Sequence, residues 1–419
     1  MTELGESKPN VIVIGAGIVG LSTALSLQMR GQRTLVIDRE GFAAGASRGN
    51  AGAFAFSDII PLASPGVFRH APAWLMDPGG PLTIPPAYAF KILPWLLRFS
   101  RASRPSEMTR GVAAQSALMN HSKKTLLDFL RDAGLGNMLR REGNLQVYES
   151  DREFEASLPH WQARENQLIP FRHIEGVDAI AEVQPGLSSR FTRATFSPEW
   201  YSVDDPLDYT LNVAEKFQDR GGKFAIAEAT SVTADHETAS IRCADGRVLV
   251  ADKVVICAGA WSRPLARSLG DRIPLETERG YNTTLPPDAL DLRMQITFGG
   301  HGFVVTRLSS GIRVGGAVEL GGLDLPANMR RAEILLNKAK DFLPGLRIGD
   351  GVQWMGFRPS LPDSLPVIGM ARGTNRVIYG FGHGHLGLTQ SAGTASLITE
   401  LALGEPASID LTPFRADRF

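Results

Sequence analysis

Apolar and polar positions along the chain follow two alternating periods, and the changes of period mark the elements. Val11–Ile14 is an unbroken apolar run, the pattern of a parallel strand covered on both faces. "IVGLSTALSLQM" (residues 18–29) follows at helical spacing, with Val19, Leu21, Leu25 and Leu27, and stops before Gly31. "TLVID" (34–38) is again strand-like, so the chain opens as β-α-β with a right-handed crossover. Residues 60–110 are proline-rich and read as irregular, and 112–135 as a helix with Leu118, Leu126 and Leu130 on one broad face.

Further along, "NLQVYES" and "ATFSPEW" read as strands, and the stretch from Asp205 to Phe224 as a helix with an Asp-Pro start and a Gly-Gly stop. Residues 224–259 alternate strands and turns. "RGYNTTL", "GFVVTRL" and "GIRVGGAVEL" carry the period-two pattern of an antiparallel sheet. Residues 330–344 form an amphipathic helix, and a last helix spans roughly 391–402. Because strand–glycine segments return near 255 and 380, the opening unit is expected to be assembled from separated pieces around an insertion. The expected fold is α/β: a discontinuous Rossmann-like domain (9–65, 200–275 and 350–419) plus an α+β domain with a mainly antiparallel sheet (66–199 and 276–349).

Composition narrows this picture mainly by exclusion. The 44 basic and 44 acidic residues of the 419 cancel, which argues against a nucleic-acid partner. Cys243 and Cys257 are too few for a disulfide framework or a cysteine-based metal site, and no metal is expected. Glu3 and Glu6 precede the first strand, unlike a secretory signal, and no run approaches the ~20 apolar residues of a spanning helix. A cytoplasmic protein is expected.

Chemistry enters at Gly15-Ala16-Gly17-Ile18-Val19-Gly20. In this spacing Gly15 permits the tight turn, Gly17 lets a pyrophosphate approach the backbone, and Gly20 lets the helix pack on the strand. The helix start offers N–H groups and a positive dipole end to phosphates. Asp38 stands where an acid accepts the ribose hydroxyls. The motif alone does not distinguish FAD from NAD. With one complete fingerprint in the chain, FAD is favoured, since a bound flavin is itself the redox centre.

Four segments in order, "SRGNAG" (47–52), "DKVVICAGAW" (252–261), "GFRPSLPDSLPVIG" (356–369) and "GFGHGHLGLTQS" (380–391), resemble the D-amino-acid oxidase superfamily of FAD-dependent amine oxidoreductases. "RGYNTTLP" and "HGHLGLT" look closest to its bacterial D-amino-acid dehydrogenases, including D-hydroxyproline dehydrogenases. The resemblance implies FAD contacts from Gly15, Gly17, Ile18, Val19, Gly20, Asp38, Arg39, Ser47, Asn50, Ala51, Gly52, Val232, Ala258, Gly259 and Trp261. It implies further contacts from the run Gly384, His385, Leu386, Gly387, Leu388 and Thr389. Some relatives attach the flavin through a C-terminal cysteine or a histidine beside the Ala-Gly. This chain has neither, with Asn50 at the second place, so non-covalent FAD is expected.

The resemblance also implies oxidation of a D-amino or D-imino acid, such as D-proline or cis-4-hydroxy-D-proline, by hydride transfer from Cα to flavin N5. Such a step depends on positioning and not on a strong base. Arg358 is the expected carboxylate anchor, a guanidinium fork facing a carboxylate. Tyr281 is a lid or second carboxylate contact, or else a sheet aromatic. His385 is expected to approach the flavin or substrate, His383 to be structural, and His301 to tip a hairpin. Arg307 and Arg313 are read as sheet residues, with Glu319 balancing one of them. Electrons would pass to a quinone or artificial acceptor. The segment 89–104, with Trp95, Leu97, Lys91, Arg98 and Arg101, is either a cover over the substrate pocket or a peripheral membrane contact. An oxygen-using oxidase of glycine, sarcosine or an L-imino acid, and a non-catalytic FAD carrier, are the alternatives.

Overall fold

The computed structural model describes residues 9–77 and 79–419; the N-terminal stretch containing Glu3 and Glu6 lies outside the described residues. A six-stranded sheet forms around Val11–Ile14, which is flanked by Thr34–Asp38 and Lys253–Ile256 in parallel register. Lys223–Ile226 and Val377–Phe381 extend it in parallel, and Val367–Met370 closes one edge antiparallel. Helices Ile18–Met29, Pro206–Asp219, Ser391–Leu403 and Pro105–Ala133 pack together on one face. An antiparallel meander (Ala229–Ala234, Ala239–Cys243, Val248–Ala251) and helix Ser262–Ser268 pack on the other. This two-sided cover is why the central strand is apolar at every position.

The second sheet has nine strands and is mainly antiparallel. At one end of its strand order Val352–Ser360 pairs with Glu276–Leu285, which pairs with Gly311–Glu319. One face packs on helix Arg330–Phe342 through Leu335, Ala339 and Phe342 against Ile312, Val314 and Phe303. The opposite face looks across a cleft to the first sheet. The fold expected from the sequence, a discontinuous Rossmann-like unit with a mainly antiparallel second sheet, is the one observed.

Several boundaries differ. Residues 60–110 are largely helical (Val67–Met76, Ala89–Ala102 and the start of Pro105–Ala133), with Pro72 and Pro94 inside helices and Pro105 at a helix start. Burial of Ile92, Trp95 and Phe99 against Ala63 and Leu320 holds Ala89–Ala102 helical despite its proline. Helix Pro105–Ala133 begins before residue 112 and packs on Ser391–Leu403, so it shares the core of the first unit rather than the second. Conversely Val352–Ser360, grouped with the first unit by sequence, is an edge strand of the second sheet.

Candidate active site

The strand Val11–Ile14 delivers the chain into a turn whose glycines have different neighbours. Gly15 has φ +110°, and a Cβ there would lie 2.4 Å from the Cys257 carbonyl oxygen. A Cβ at Gly20 would lie 2.0 Å from the Gly15 oxygen. Gly17 is different: its Cβ would meet only the Ser47 Oγ, at 3.1 Å. Two of the glycines therefore serve strand–helix packing, and the third leaves the helix start bare toward the cleft. The first turn of Ile18–Met29 has N–H groups without intrahelical acceptors; that of Ile18 is taken by Ser47 Oγ at 2.9 Å.

From this turn a cleft of about 930 Å³ runs between the two sheets. It is lined at one end by Asp38, Arg39 and Trp261, and further on by Ser47, Asn50, Ala51, Ala258 and Gly259. It ends among Gly280, Ala317, Arg358 and the turn Gly384–Thr389. Asp38 accepts the N–H groups of Ala16 (2.9 Å), Glu40 (2.9 Å) and Gly41 (3.2 Å), which fixes the carboxylate at the end of its strand. The Arg39 guanidinium stacks over Trp261 at 3.9 Å, making a flat wall at that end. Asn50 holds its own loop, donating to Ser47 O and accepting from Gly52 N–H. The N–H groups of Gly387, Leu388 and Thr389 make no hydrogen bond within the described chain and border the cleft.

Three of the residues expected at the cofactor do not line the cleft. Gly20 is spent on packing, and Gly52 is a left-handed turn against Leu308. Val232 is inside the meander, its N–H and carbonyl both bonded to Ser268 Oγ. The cleft wall beside it is formed instead by Ala227, Glu228, Ala229 and Thr230, which sequence reasoning missed. Asp58, Trp200 and Trp354 were missed as well. Trp354 had a readable signal, since it alternates with Arg358 on one strand; its indole lies against the bare backbone of Gly49 and Gly356.

At the far end, Arg358 is half-buried and its Nη1 donates to Ala317 O at 2.8 Å. Burial pushes its pKa down from the ordinary guanidinium value, while the Glu278 charge works the other way. Tyr281 lines the cleft but is 1% exposed; its hydroxyl donates to Glu319 Oε1 (3.0 Å) and accepts Asn328 N–H (3.2 Å). Glu319 balances neither Arg307 nor Arg313. It pairs with the fully buried Arg279 at 3.1 Å, because the strand register sets those two residues opposite each other. Arg307 pairs with Glu142, and Arg313 donates to Asn50 O at 2.6 Å. His301 ends a short turn and meets Glu149 at 3.1 Å.

The two histidines of the C-terminal turn differ. His383 is 3% exposed and bonded to Thr394 Oγ1, and burial lowers its pKa to about 3, so it is neutral. His385 borders the cleft and meets Asp58 Oδ2 at 3.0 Å. Burial by itself would raise the Asp58 pKa, but the hydrogen bond to His385 and the charges of His385, Arg164 and His160 bring it below the ordinary value.

A long cleft with a bare helix start, a carboxylate at the second strand's end and unpaired N–H groups at its far end fits a dinucleotide whose second half is a flavin. A family model described as FAD-dependent oxidoreductase (DAO) matches residues 10–401. The chain belongs to that family. It is therefore an FAD-dependent oxidoreductase, and its residues fit the cofactor. It is 33% identical to a D-amino-acid oxidase of Bradyrhizobium diazoefficiens, covering 98% of this chain and 99% of that one. It is 30% identical to a D-amino acid dehydrogenase of Rhizobium johnstonii, again covering 98% and 99%. Among solved structures, glycine oxidase from Geobacillus kaustophilus superimposes with a TM-score of 0.79 at 18% identity, covering 99% of this chain and all of that one.

Proposed function

We propose that this flavoenzyme is a D-amino-acid dehydrogenase and that Arg358 anchors the substrate carboxylate. The observation that carries the reading is a cleft-facing guanidinium with one hydrogen bond inside the chain and no ion pair among the described residues. It keeps a fork of donors for a carboxylate. Relatives named D-amino-acid oxidase or D-amino acid dehydrogenase over nearly the whole chain support a D-amino acid as substrate.

FAD, held by the helix start at Gly17, Asp38 and the turn Gly384–Thr389, would supply a two-electron acceptor for the substrate's Cα–H. The chain's part is to hold. Arg358 fixes one end of the substrate, so the Cα–H is presented in one orientation. His385, held by Asp58, borders the same space. Non-covalent attachment is supported by the burial of both cysteines; that of Cys257, beside the cleft, raises its thiol pKa to about 12 and keeps it protonated.

The finer assignment is a proline-type ring, D-proline or cis-4-hydroxy-D-proline, with electrons delivered to a quinone from the cytoplasmic side of a membrane. Helix Ala89–Ala102 supports the last point. It exposes Phe90 (90%), Leu93 (50%) and Leu97 (63%) beside Lys91, Arg98 and Arg101, as an interfacial helix does. Among the described residues no helix is long and apolar enough to cross a membrane. The oxidase name of the Bradyrhizobium relative favours a second reading, oxygen as acceptor.

The test is anaerobic bleaching of the flavin by a panel of D- and L-amino acids, followed by turnover with an artificial quinone and with oxygen. The proposal expects bleaching by D-isomers, with cyclic secondary amines fastest, and quinone turnover without matching peroxide. Bleaching by L-isomers alone, or by none, refutes it; stoichiometric peroxide replaces dehydrogenase by oxidase.

A further inference from the structure

We propose that Gly280 and Ala317 are positioning residues that together aim the Arg358 guanidinium at the substrate. The inference rests on the reading of Arg358 as carboxylate anchor and explains how the fold holds it there. Three adjacent strands are involved. Arg358 belongs to Val352–Ser360, Gly280 to the middle strand Glu276–Leu285, and Ala317 to Gly311–Glu319. Arg358 does not stay above its own cross-strand partner, Glu278. Its side chain crosses the middle strand and donates from Nη1 to the carbonyl of Ala317 on the far one, at 2.8 Å.

The crossing is possible because position 280 has no side chain. A Cβ there would lie 2.2 Å from Arg358 Nη2 and 2.4 Å from Cζ. Gly280 is absent from the positive-φ glycines, so its backbone would accept an L-residue. Only what lies over it demands glycine.

The acceptor is also built for the purpose. Ala317 has φ +57°, a left-handed conformation that costs a non-glycine residue on the order of 1 kcal/mol. It sits where the register with the middle strand slips between Arg279 and Tyr281, so that Gly280 and Ala317 have no ladder partner across this pair. The bulge releases the Ala317 carbonyl from the ladder, and the missing Cβ opens the path to it. With one edge of the planar fork tied down, the other is fixed toward the cleft.

The test is Gly280→Ala in the FAD-loaded enzyme. The added methyl displaces the far end of a flexible side chain, so the protein should stay yellow and melt near the parent temperature. Two readouts should move together: kcat/KM for the amino acid, and the Kd of a simple carboxylate such as benzoate, read from the flavin spectrum. The first should fall by about a hundredfold, the scale of a 1 Å misplacement, and the second should rise by about tenfold or more, the scale of one hydrogen bond to a charged group. In an Arg358→Met background the same substitution should change neither further, as expected for coupled residues.

If Arg358→Met weakens benzoate binding but Gly280→Ala does not, the positioning role is wrong and the anchor stands. If Arg358→Met itself leaves benzoate binding unchanged, the anchor reading and this inference fall together. If Gly280→Ala does not accumulate as folded protein, the double variant decides. Recovery when the guanidinium is gone supports the clash described here, and failure in both backgrounds overturns it.

Discussion

Gly17 and Gly20 lie three residues apart in one glycine motif, yet the structure predicts opposite consequences for alanine at the two positions. At Gly17 the backbone is already in an ordinary conformation (φ −79°), and the new methyl would find only Ser47 Oγ, at 3.1 Å, within 4 Å. Ser47 can yield by a few tenths of an ångström. The apoprotein should be unchanged or more stable by up to about 1 kcal/mol, from the smaller entropy of the unfolded chain. The methyl does, however, occupy the approach to the helix start, where a bound FAD would place its pyrophosphate. An overpacking cost of about 1–3 kcal/mol corresponds to roughly 5- to 150-fold weaker FAD binding. At Gly20 the methyl would lie 2.0 Å from a backbone oxygen that no rotamer can move. Alanine there should destabilise the apoprotein by about 1–3 kcal/mol or more. The assay is urea unfolding of both apoproteins, with FAD titrated by quenching of its fluorescence. If Gly17→Ala costs as much apoprotein stability as Gly20→Ala, or binds FAD as the parent does, the assignment of the two glycines to ligand and packing is wrong.

Glu319→Ala should cost about 3–5 kcal/mol, because it strands the fully buried Arg279 without its carboxylate and frees the Tyr281 hydroxyl; a change below about 1 kcal/mol in urea unfolding would contradict the pairing. His383 gives a pH signature. Its pKa falls from about 6.5 unfolded to about 3 folded, so the unfolded state binds the extra proton as the pH drops below 6.5. Stability is full above that value and should decline by about 2 kcal/mol between pH 7 and pH 5, a decline that His383→Asn removes. Glutamate at both Phe90 and Leu97 should abolish cosedimentation with phosphatidylglycerol vesicles while leaving turnover with a soluble acceptor intact; equal sedimentation of parent and variant would assign this face another role.

How far the sequence could be read depended on the range of the interaction. Gly15, Gly17, Asp38 and the strands around them were legible because the turn, the helix start and the acid lie within one short β-α-β stretch. Helix Asp151–Glu165 was also signalled locally and overlooked: Ser150 caps it by accepting Glu153 N–H, and Glu153 reaches back to Glu149 N–H. Helices Val67–Met76 and Ala89–Ala102 were hidden by their prolines; in Ala89–Ala102 the burial of Ile92, Trp95 and Phe99 outweighs the local penalty.

By itself, then, the chain specifies the nucleotide-type unit and the alternation of the large sheet, both set by periodicity and by backbone chemistry within a few residues. Only the tertiary structure decides that Glu319 serves Arg279, that Val232 turns away from the cleft while Glu228 and Ala229 face it, and that Arg358 crosses a glycine to reach a carbonyl two strands away. Those outcomes depend on register, and register is settled by the packing of strands far apart in sequence: a slip of one residue would reverse which side chains face the cofactor.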